Sequence, residues 1–344
     1  MKATTLAVAG LAVAALAGGT VAAADGAVVA THHHHRRHHP VPDFGLYDAK
    51  VPKNAAYTRR MGRALPVTWV VEYGSLFSGP PLRALRAIHR DGLMPVLVDD
   101  PYVAPRFRGI DHPTPAQILS IPVRLIASGK ADPYLRWYAD QLRNLRFRVG
   151  LSFGHEMNGD WYSWGYSPAC GSLAPDEHSQ GPPNSPGLTP PRLFVKAWRH
   201  LHDVFTRQKA WNVTWIWTIA RLPWLSGCQS PRAITRADWP GSRYVNWIGI
   251  DGYLTGPASR FVSRLAPTVG FVRSFARKPV LIQETGVWPG SSQWAQLRSL
   301  VRGVRRYHLL GWVYENRDGK LGRWTLTPRE TRFLGRLLRR YGYR

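Results

Sequence analysis

Short apolar runs alternate along the chain with segments whose apolar positions recur every three or four residues. The runs predict β-strands and the segments predict amphipathic α-helices. Seven strands are predicted at 67–74, 94–100, 148–156, 213–220, 246–253, 279–286 and 311–316, with a weaker one near 122–126. Helices are predicted most clearly at 191–205, 259–276 and 329–341.

This alternation predicts the fold class. Strands that are apolar almost throughout, with helices between them, are typical of a parallel sheet covered by helices. A doubly wound open sheet would carry a Gly-rich phosphate turn after its first strand, and none is present. Eight strands within residues 57–344 therefore predict an α/β fold, a (β/α)8 TIM barrel.

The residues before this domain have a different composition. Residues 1–24 combine Lys2, a short apolar core and three alanines at 22–24, which predicts a secretory signal peptide and a secreted protein. Neither this segment nor any later one reaches the roughly 18 apolar residues of a membrane span. Residues 25–56, with the tract THHHHRRHHPVPD, predict a His/Arg/Pro-rich disordered linker.

The predicted export also bears on the state of the two cysteines. Cys170 and Cys228 are the only pair, and in an oxidising compartment we expect them to form a disulfide, with two buried thiols as the alternative. Two cysteines alone cannot make a four-ligand zinc site. We expect no metal and no cofactor.

The net charge is +25 and the sequence pI is near 10.9. Such a basic balance favours electrostatic association with anionic polymers, including those of a cell wall. The charge is scattered, and the sequence has no zinc finger, RNP box or phosphate loop, so we expect no nucleic-acid partner. We expect a monomer.

Four of the six glutamates stand at the C-terminal ends of predicted strands: Glu72, Glu156, Glu284 and Glu315. In a barrel this end forms the active-site face. Glu315 precedes Asn316, Arg317 and Asp318, which favours a salt-bridged loop. Glu72 lies beside Tyr73 and is a weaker candidate for substrate contact.

Two of these glutamates lie in distinctive motifs. The stretch LSFGHEMNGDWYSWGYS surrounds Glu156 with aromatic residues, and PVLIQETGVW contains Glu284. Together with YVNWIGIDGY, these motifs resemble glycoside hydrolase family 26, best known as β-mannanases. The resemblance covers about 127–286 and implies a retaining glycosidase of clan A on a TIM barrel.

The resemblance implies roles for individual residues. Glu156 corresponds to the general acid/base and Glu284 to the nucleophile, which is the carboxyl pair that retaining glycosidases use. Tyr253 is expected to donate a hydrogen bond to Glu284. The other expected substrate contacts are His155, Asp251, Trp161, Trp164 and Trp288, with Trp217 as a weaker candidate.

The chain also departs from the family pattern. Ser152 stands where an arginine is common, Asn246 replaces an expected aspartate, and the fifth strand ends in IWTIAR. These positions tend to shape the sugar subsites. The sequence therefore predicts hydrolysis of a β-linked polysaccharide, with β-1,4-mannan first and mixed-linkage glucan or xylan as alternatives.

Two other classes of function remain open. A non-catalytic polysaccharide-binding barrel of the cell wall would keep the aromatic cleft without turnover. An exported anion- or metal-binding protein would depend on the His/Arg tract at 31–43. We expect a secreted endo-β-glycosidase of the mannan endo-1,4-β-mannosidase type.

Overall fold

The computed structural model describes residues 41–48, 50–51, 53–101, 122–159, 162, 164–165, 189–222, 231–319 and 322–343. The predicted signal peptide, Trp161, Cys170 and Cys228 lie outside these residues. Within the described part of the chain, no helix combines the length and the hydrophobicity that crossing a bilayer demands.

Eight parallel strands form a closed barrel in chain order. They are β1 (Asp43–Tyr47), β2 (Val67–Ser75), β3 (Met94–Asp100), β4 (Val149–Phe153), β5 (Val213–Ala220), β6 (Trp247–Asp251), β7 (Val280–Thr285) and β8 (Gly311–Glu315). β1 pairs with both β2 and β8 and so closes the barrel. The prediction of a (β/α)8 barrel is confirmed. A hairpin of β9 (Asp318–Gly319) and β10 (Gly322–Arg323) follows β8.

Helices separate the strands. The described ones are α1 (Ala55–Ala64), α2 (Leu82–Arg90), α3 (Pro122–Ala127), α4 (Asp132–Arg143), α5 (Pro191–Arg207), α6 (Pro231–Ala237), α7 (Phe261–Arg264), α8 (Ala266–Arg273), α9 (Gln293–Arg306) and α10 (Pro328–Arg340). The start of α10 is fixed by a capping box, in which Thr327 and Glu330 each bond the other's backbone.

Two sequence predictions are wrong at the N-terminal half of the barrel. The predicted linker 25–56 includes β1, a full barrel strand, and part of α1. Conversely, the weak strand near 122–126 is helix α3. Pro122 suits the first position of a helix, and Val123 and Ile126 are buried while Arg124 is exposed, which is a helical rather than an alternating pattern.

Strand alternation divides the core into two parts. One set of side chains fills the barrel interior: Trp69, Val71, Val96, Val98, Ile216, Leu281 and Val313. The residues between them, such as Val70, Leu97 and Ile282, belong to the larger cluster under the helices. Because successive side chains point to opposite faces of a sheet, this parity decides which strand-end side chains enter the barrel mouth.

Candidate active site

Glu284 reaches the barrel axis through an irregularity in β7. Ile250 of β6 pairs with Ile282, but the next residue, Asp251, pairs with Glu284. β7 therefore carries one extra residue, and the pairing with β8 shifts at the same place. A bulge of this kind redirects a side chain. Both Gln283 and Glu284 consequently face inward, since each bonds to side chains from other strands.

Two tyrosines hold the Glu284 carboxyl group. Tyr73, at the end of β2, donates its hydroxyl hydrogen bond to Oε2 of Glu284. Tyr253, just after β6, donates to Oε1. Burial and the nearby Glu284 charge raise the pKa of Tyr73 well above its usual value, so its hydroxyl stays protonated and remains a donor. The carboxylate is thus fixed from both sides.

Packing behind Tyr253 limits its movement. Its ring lies 4.8 Å, centroid to centroid, from the buried Trp324. Gly286 provides the space for this contact, because a Cβ there would lie 2.7 Å from the Trp324 ring and 3.0 Å from the Tyr253 ring. The glycine of the Glu-Thr-Gly motif is therefore required by packing.

Glu156 lies in a tight turn beyond β4. Its backbone has a φ of 54°, in the left-handed region that non-glycine residues seldom adopt. Its N–H donates to the Thr218 carbonyl at 2.9 Å, which fixes the turn against β5. Strained positions of this kind occur often at functional sites.

Asn158 completes the attachment of this turn. Its Oδ1 accepts from the Ala220 N–H at 2.9 Å, and its Nδ2 donates to the Ala220 carbonyl at 3.0 Å and to Thr235 Oγ1 at 3.1 Å. Met157 is fully buried. The His-Glu-Met-Asn segment thus anchors two residues in the structure and leaves Glu156 partly exposed.

His155 forms a buried pair with Asp100, the last residue of β3. Nδ1 of His155 lies 2.7 Å from Asp100 Oδ1, and both side chains are buried. Burial alone would lower the pKa of His155, but the Asp100 charge and hydrogen bond outweigh it and raise the pKa to about 9. His155 is therefore a cation at neutral pH, and its Nε2–H donates to the Tyr162 hydroxyl at 3.2 Å.

Asp251 lies between these groups. It is almost fully buried, and neither carboxyl oxygen has a hydrogen-bond partner among the described residues. Burial, together with the charges of Glu284 and Glu156, raises its pKa well above the usual value. Oxygens of Asp251 and Glu284 and a ring nitrogen of His155 all lie within 4.8 Å of one another.

This triad has the donor types of a metal site, but its hydrogen bonding points elsewhere. A metal ligand must be deprotonated, whereas His155 is held as a cation with both ring nitrogens engaged. The cluster brings a histidine with a raised pKa together with two carboxyl groups, of which Asp251 also has a raised pKa.

A polar layer lies directly beneath the mouth. Ser152 Oγ and Thr218 Oγ1 are 2.7 Å apart, and Thr218 Oγ1 donates to Gln283 Oε1 at 2.7 Å. Ser152 is therefore the donor to Thr218. Gly249 leaves room for this chain, because a Cβ there would lie 2.4 Å from Thr218 Oγ1. The layer links β4, β5 and β7.

Comparison with known proteins now adds to this geometry. The sequence profile of glycosyl hydrolase family 26 matches residues 132–266. This chain is a relative of that family. The family 26 match includes His155, Glu156, Asp251 and Tyr253 and ends before Glu284, so the position of Glu284 is known from the barrel alone.

The curated proteins that this chain resembles are longer than it is. Endoglucanase H of Acetivibrio thermocellus is 25% identical over 211 residues, which are 56% of this chain and 20% of that protein. Mannan endo-1,4-beta-mannosidase A and B of Caldalkalibacillus mannanilyticus is 28% identical over 120 residues, 35% of this chain and 19% of that protein. The chain spans about a fifth of the length of each.

Solved structures of family 26 proteins share the fold. A GH26 beta-mannanase from Bacteroides ovatus gives a TM-score of 0.63 at 14% identity, covering 88% of this chain and 90% of that one. A GH26 endo-beta-1,4-mannanase from Bacillus sp. JAMB-750 gives 0.60 at 11% identity, covering 88% and 87%. At these identities the likeness establishes the barrel fold.

The tryptophans that are expected to stack on sugars lie in different environments. Trp288 is 42% exposed just after β7, which suits a sugar platform. Trp164 is only 3% exposed; it donates to the His155 carbonyl at 2.8 Å and stacks on Tyr162. Trp217 is buried on the helix side of β5. The expectation of sugar stacking is therefore corrected for Trp164 and Trp217, which support neighbouring residues.

The two remaining strand-end glutamates, Glu72 and Glu315, also lie in different environments. Glu72 follows Val71, an interior residue, and so points to the helix side, where burial raises its pKa and Lys53 lowers it. The expectation that Glu72 contacts substrate is therefore wrong, because its neighbour Tyr73 is the residue that enters the barrel mouth. Glu315 Oε1 accepts from Arg317 Nε at 2.6 Å, which confirms the expected salt bridge.

The sequence assigns no role to Tyr73 or Tyr162, although Tyr162 lies in the motif that follows Glu156. Asp100, in the Asp99–Asp100 pair that ends a predicted strand, is a sequence candidate for binding sugar hydroxyls, and the structure pairs its carboxylate with His155. For Tyr73 a signal existed, because it alternates with the interior residues Trp69 and Val71 on β2.

Proposed function

We propose that this protein is a retaining endo-β-glycosidase that hydrolyses β-1,4-mannan or a related β-linked polysaccharide. The observation that carries the proposal is the Glu284 carboxylate, fixed by Tyr73 and Tyr253 at the barrel mouth, with Glu156 in the turn that follows β4 at the same end of the barrel. The charges of Glu156 and Glu284 both act on Asp251, on His155 and on Tyr162. The two carboxyl groups therefore share one electrostatic environment.

In the proposed mechanism, Glu284 attacks the anomeric carbon while Glu156 protonates the glycosidic oxygen. The bond to the leaving sugar breaks, and a glycosyl ester forms on Glu284. Glu156, now ionised, removes a proton from water, which attacks the same carbon and releases Glu284. Two inversions give net retention of configuration.

The surrounding residues have distinct tasks in this scheme. Tyr253 and Tyr73 orient Glu284 for attack. The raised pKa of Asp251 favours its protonated form, which places no second negative charge beside Glu284 and can donate a hydrogen bond. Cationic His155 offsets the charge that the carboxylates concentrate in the mouth.

The substrate is proposed from the relatives together with the site. Mannan hydrolysis follows the mannosidase relative and the solved β-mannanases. Hydrolysis of a β-glucan is the second candidate, because the relative matched over the longer stretch is an endoglucanase. Xylan is a third candidate, since Ser152 lies in the polar layer directly beneath the mouth. Asn246 does not bear on the subsites, because it precedes β6 at the opposite end of the barrel, where its Oδ1 accepts from the Trp215 N–H at 2.8 Å.

Kinetics of three variants test the mechanism. Glu284→Ala should abolish hydrolysis, and Glu156→Ala should lower it by roughly 10²–10⁴-fold, the usual contribution of general acid–base catalysis. Azide should restore turnover to Glu156→Ala on an activated aryl glycoside, giving a glycosyl azide of retained configuration. Glu72→Gln is the matched control, because this strand-end glutamate faces the helices, and its activity should be unchanged.

A polysaccharide panel tests the substrate. Galactomannan, glucomannan, lichenan and xylan are incubated with the enzyme, and reducing ends and product lengths are measured. Binding to one of these glycans without any release of reducing ends, in the wild type, would replace this proposal with a non-catalytic binding barrel.

Export belongs to the same proposal. Residues 1–24 would direct secretion, and Cys170 and Cys228 would pair in the oxidising exterior. Mass spectrometry of the protein recovered from culture medium, before and after reduction and alkylation, measures both. A retained N-terminus or two alkylatable thiols without prior reduction contradicts the corresponding part.

A further inference from the structure

Three neighbouring helices on the side of the barrel carry an unusual density of arginine. α1, α9 and α10 have 10, 14 and 13 residues and contain three, four and five arginines respectively. All are exposed. We call this set the arginine face: Arg59, Arg60, Arg63, Arg298, Arg302, Arg305, Arg306, Arg329, Arg332, Arg336, Arg339 and Arg340.

The three helices form one continuous surface. α10 lies close against α1 at Gly335, where a Cβ would be only 2.0 Å from the Ala64 carbonyl oxygen. Arg339 donates to the same carbonyl at 3.2 Å. On the other side of α10, Arg302 of α9 donates to the Tyr341 hydroxyl at 2.7 Å. These contacts set arginines from all three helices side by side.

Their charge is almost uncompensated. Glu330 is the one acidic residue in the three helices, and its carboxylate caps the N-terminus of α10. Among the described side chains, no carboxylate forms an ion pair with any member of the arginine face. Like charges one turn apart on a helix repel, as Arg298 and Arg302 do, so this surface favours an anionic partner over water alone.

The character of the face limits what that partner can be. None of the large hydrophobic side chains exposed in the described residues lies on α1, α9 or α10. Helices that settle into a membrane surface need such apolar groups. The aromatic rings nearby are covered by arginine, as Phe333 is by Arg298 at 5.1 Å. Open aromatic platforms, on which unpaired nucleic-acid bases stack, are therefore not offered here.

We propose that the arginine face binds a flexible, carboxylate-bearing polysaccharide. Planar guanidinium groups bind carboxylates bidentately, and spaced arginines on a rigid surface suit a chain with a charge on each sugar. The face lies on the side of the barrel, whereas the candidate active site opens at the strand ends. Binding there leaves the mouth free, and it does not depend on the proposed hydrolysis.

The test measures binding of polygalacturonate to the full-length protein by isothermal titration calorimetry. The titrations are repeated at several salt concentrations centred on about 150 mM. The variant neutralises four arginines that make no described side-chain contact: Arg63→Gln, Arg306→Gln, Arg332→Gln and Arg336→Gln. The control removes the same charge elsewhere: Arg83→Gln, Arg86→Gln, Arg124→Gln and Arg207→Gln. Glutamine has a helix propensity close to that of arginine.

The face variant should bind roughly tenfold or more weakly, and the slope of log affinity against log salt should flatten by about 0.7 for each lost contact, as for single-stranded nucleic acid. The control should bind like the wild type. Hydrolysis of a short neutral oligosaccharide should be the same in all three proteins, and its complete absence would affect only the proposed function.

Three results overturn the inference. Equal weakening in face variant and control would mean that net charge alone attracts the polymer. Neutral galactomannan bound as tightly as polygalacturonate through the same four arginines would remove the role of charge. Tighter binding of duplex DNA, or of vesicles containing phosphatidylglycerol, through these arginines would assign the surface to a different partner.

Discussion

The hydroxyl of Tyr73, on β2, donates a hydrogen bond to Oε2 of Glu284, on β7, across the barrel mouth. Tyr253 donates to the other oxygen of the same carboxylate. In the proposed mechanism the Glu284 carboxylate attacks through one oxygen, so one tyrosine would lose its hydrogen bond as the ester forms while the other would keep it. The two donors are therefore expected to differ in their effect on the two chemical steps.

Removing either hydroxyl should slow catalysis. Tyr73→Phe and Tyr253→Phe should each lower kcat by roughly ten- to hundredfold, because a hydrogen bond to a charged group contributes about 1.5–3 kcal/mol. Burst kinetics on an activated glycoside separate glycosylation from deglycosylation. Tyr134→Phe, which loses a hydroxyl bonded to the Leu76 carbonyl, is the control. Wild-type kcat in Tyr73→Phe would exclude a role for this tyrosine.

Thr218 contacts the segments that carry both candidate carboxylates. Its backbone carbonyl holds Glu156, and its side chain bonds Gln283 beside Glu284. Thr218→Val keeps the shape but leaves Ser152 and Gln283 without a partner, so we expect a loss of about 1–3 kcal/mol in unfolding free energy and a lower kcat with KM little changed. Thr218→Ser should restore both. A variant that lost stability but kept kcat would limit Thr218 to a structural role.

Stability should fall in alkaline solution because of His155. Its folded pKa of about 9 lies above the unfolded value near 6.5. The Asp100–His155 pair therefore stabilises the fold fully below pH 6.5, and this contribution, roughly 3 kcal/mol, is lost as pH rises through about 9. Urea unfolding at a series of pH values measures it. Asp100→Asn should remove most of this slope, and an unchanged slope would contradict the pairing.

Asp238 should destabilise the folded protein at neutral pH. It is buried, and neither carboxyl oxygen has a partner among the described residues; burial raises its pKa well above the usual value. A raised carboxyl pKa means that stability is highest below the unfolded pKa and declines as pH rises toward the folded one. Asp238→Asn should therefore gain about 1–3 kcal/mol at pH 7. Asp91→Asn, at an exposed aspartate, should change little; a destabilised Asp238→Asn would reveal a bond to the charged form.

The fold could be read from the sequence despite two errors that cancel. The predicted linker 25–56 contains β1 because the apolar signal of this strand is short: Phe44 and Leu46 alternate over only five residues, and Gly45 between them faces the crowded interior, where a Cβ would lie 2.7 Å from Val313. Helix α3 resembles a strand in sequence because it has only six residues and two of them, Val123 and Ile126, are β-branched. One strand lost and one gained before residue 148 left Glu156 and Glu284 on the fourth and seventh strands.

The site was predicted in part. Motifs identify Glu156, Glu284, His155, Asp251 and Tyr253, and the structure brings the last four together. Motifs do not indicate burial, which is why they predict a sugar platform at Trp164 although it lies beneath Tyr162. The contacts of Tyr73 with Glu284 and of Asp100 with His155 cannot be predicted from the sequence, since the partners lie far apart along the chain.

The extra residue in β7 has a consequence for how this protein could be altered. On a regular strand, neighbouring side chains point to opposite faces. The residue before a mouth residue would then pack against the helices and would not lie beneath the mouth residue. Here Gln283 and Glu284 face the same way. Mutations at 283 can therefore change the rigidity beneath Glu284 without altering the packing of the helices. Deletion of one residue from this strand would turn the Glu284 carboxylate away from the barrel mouth.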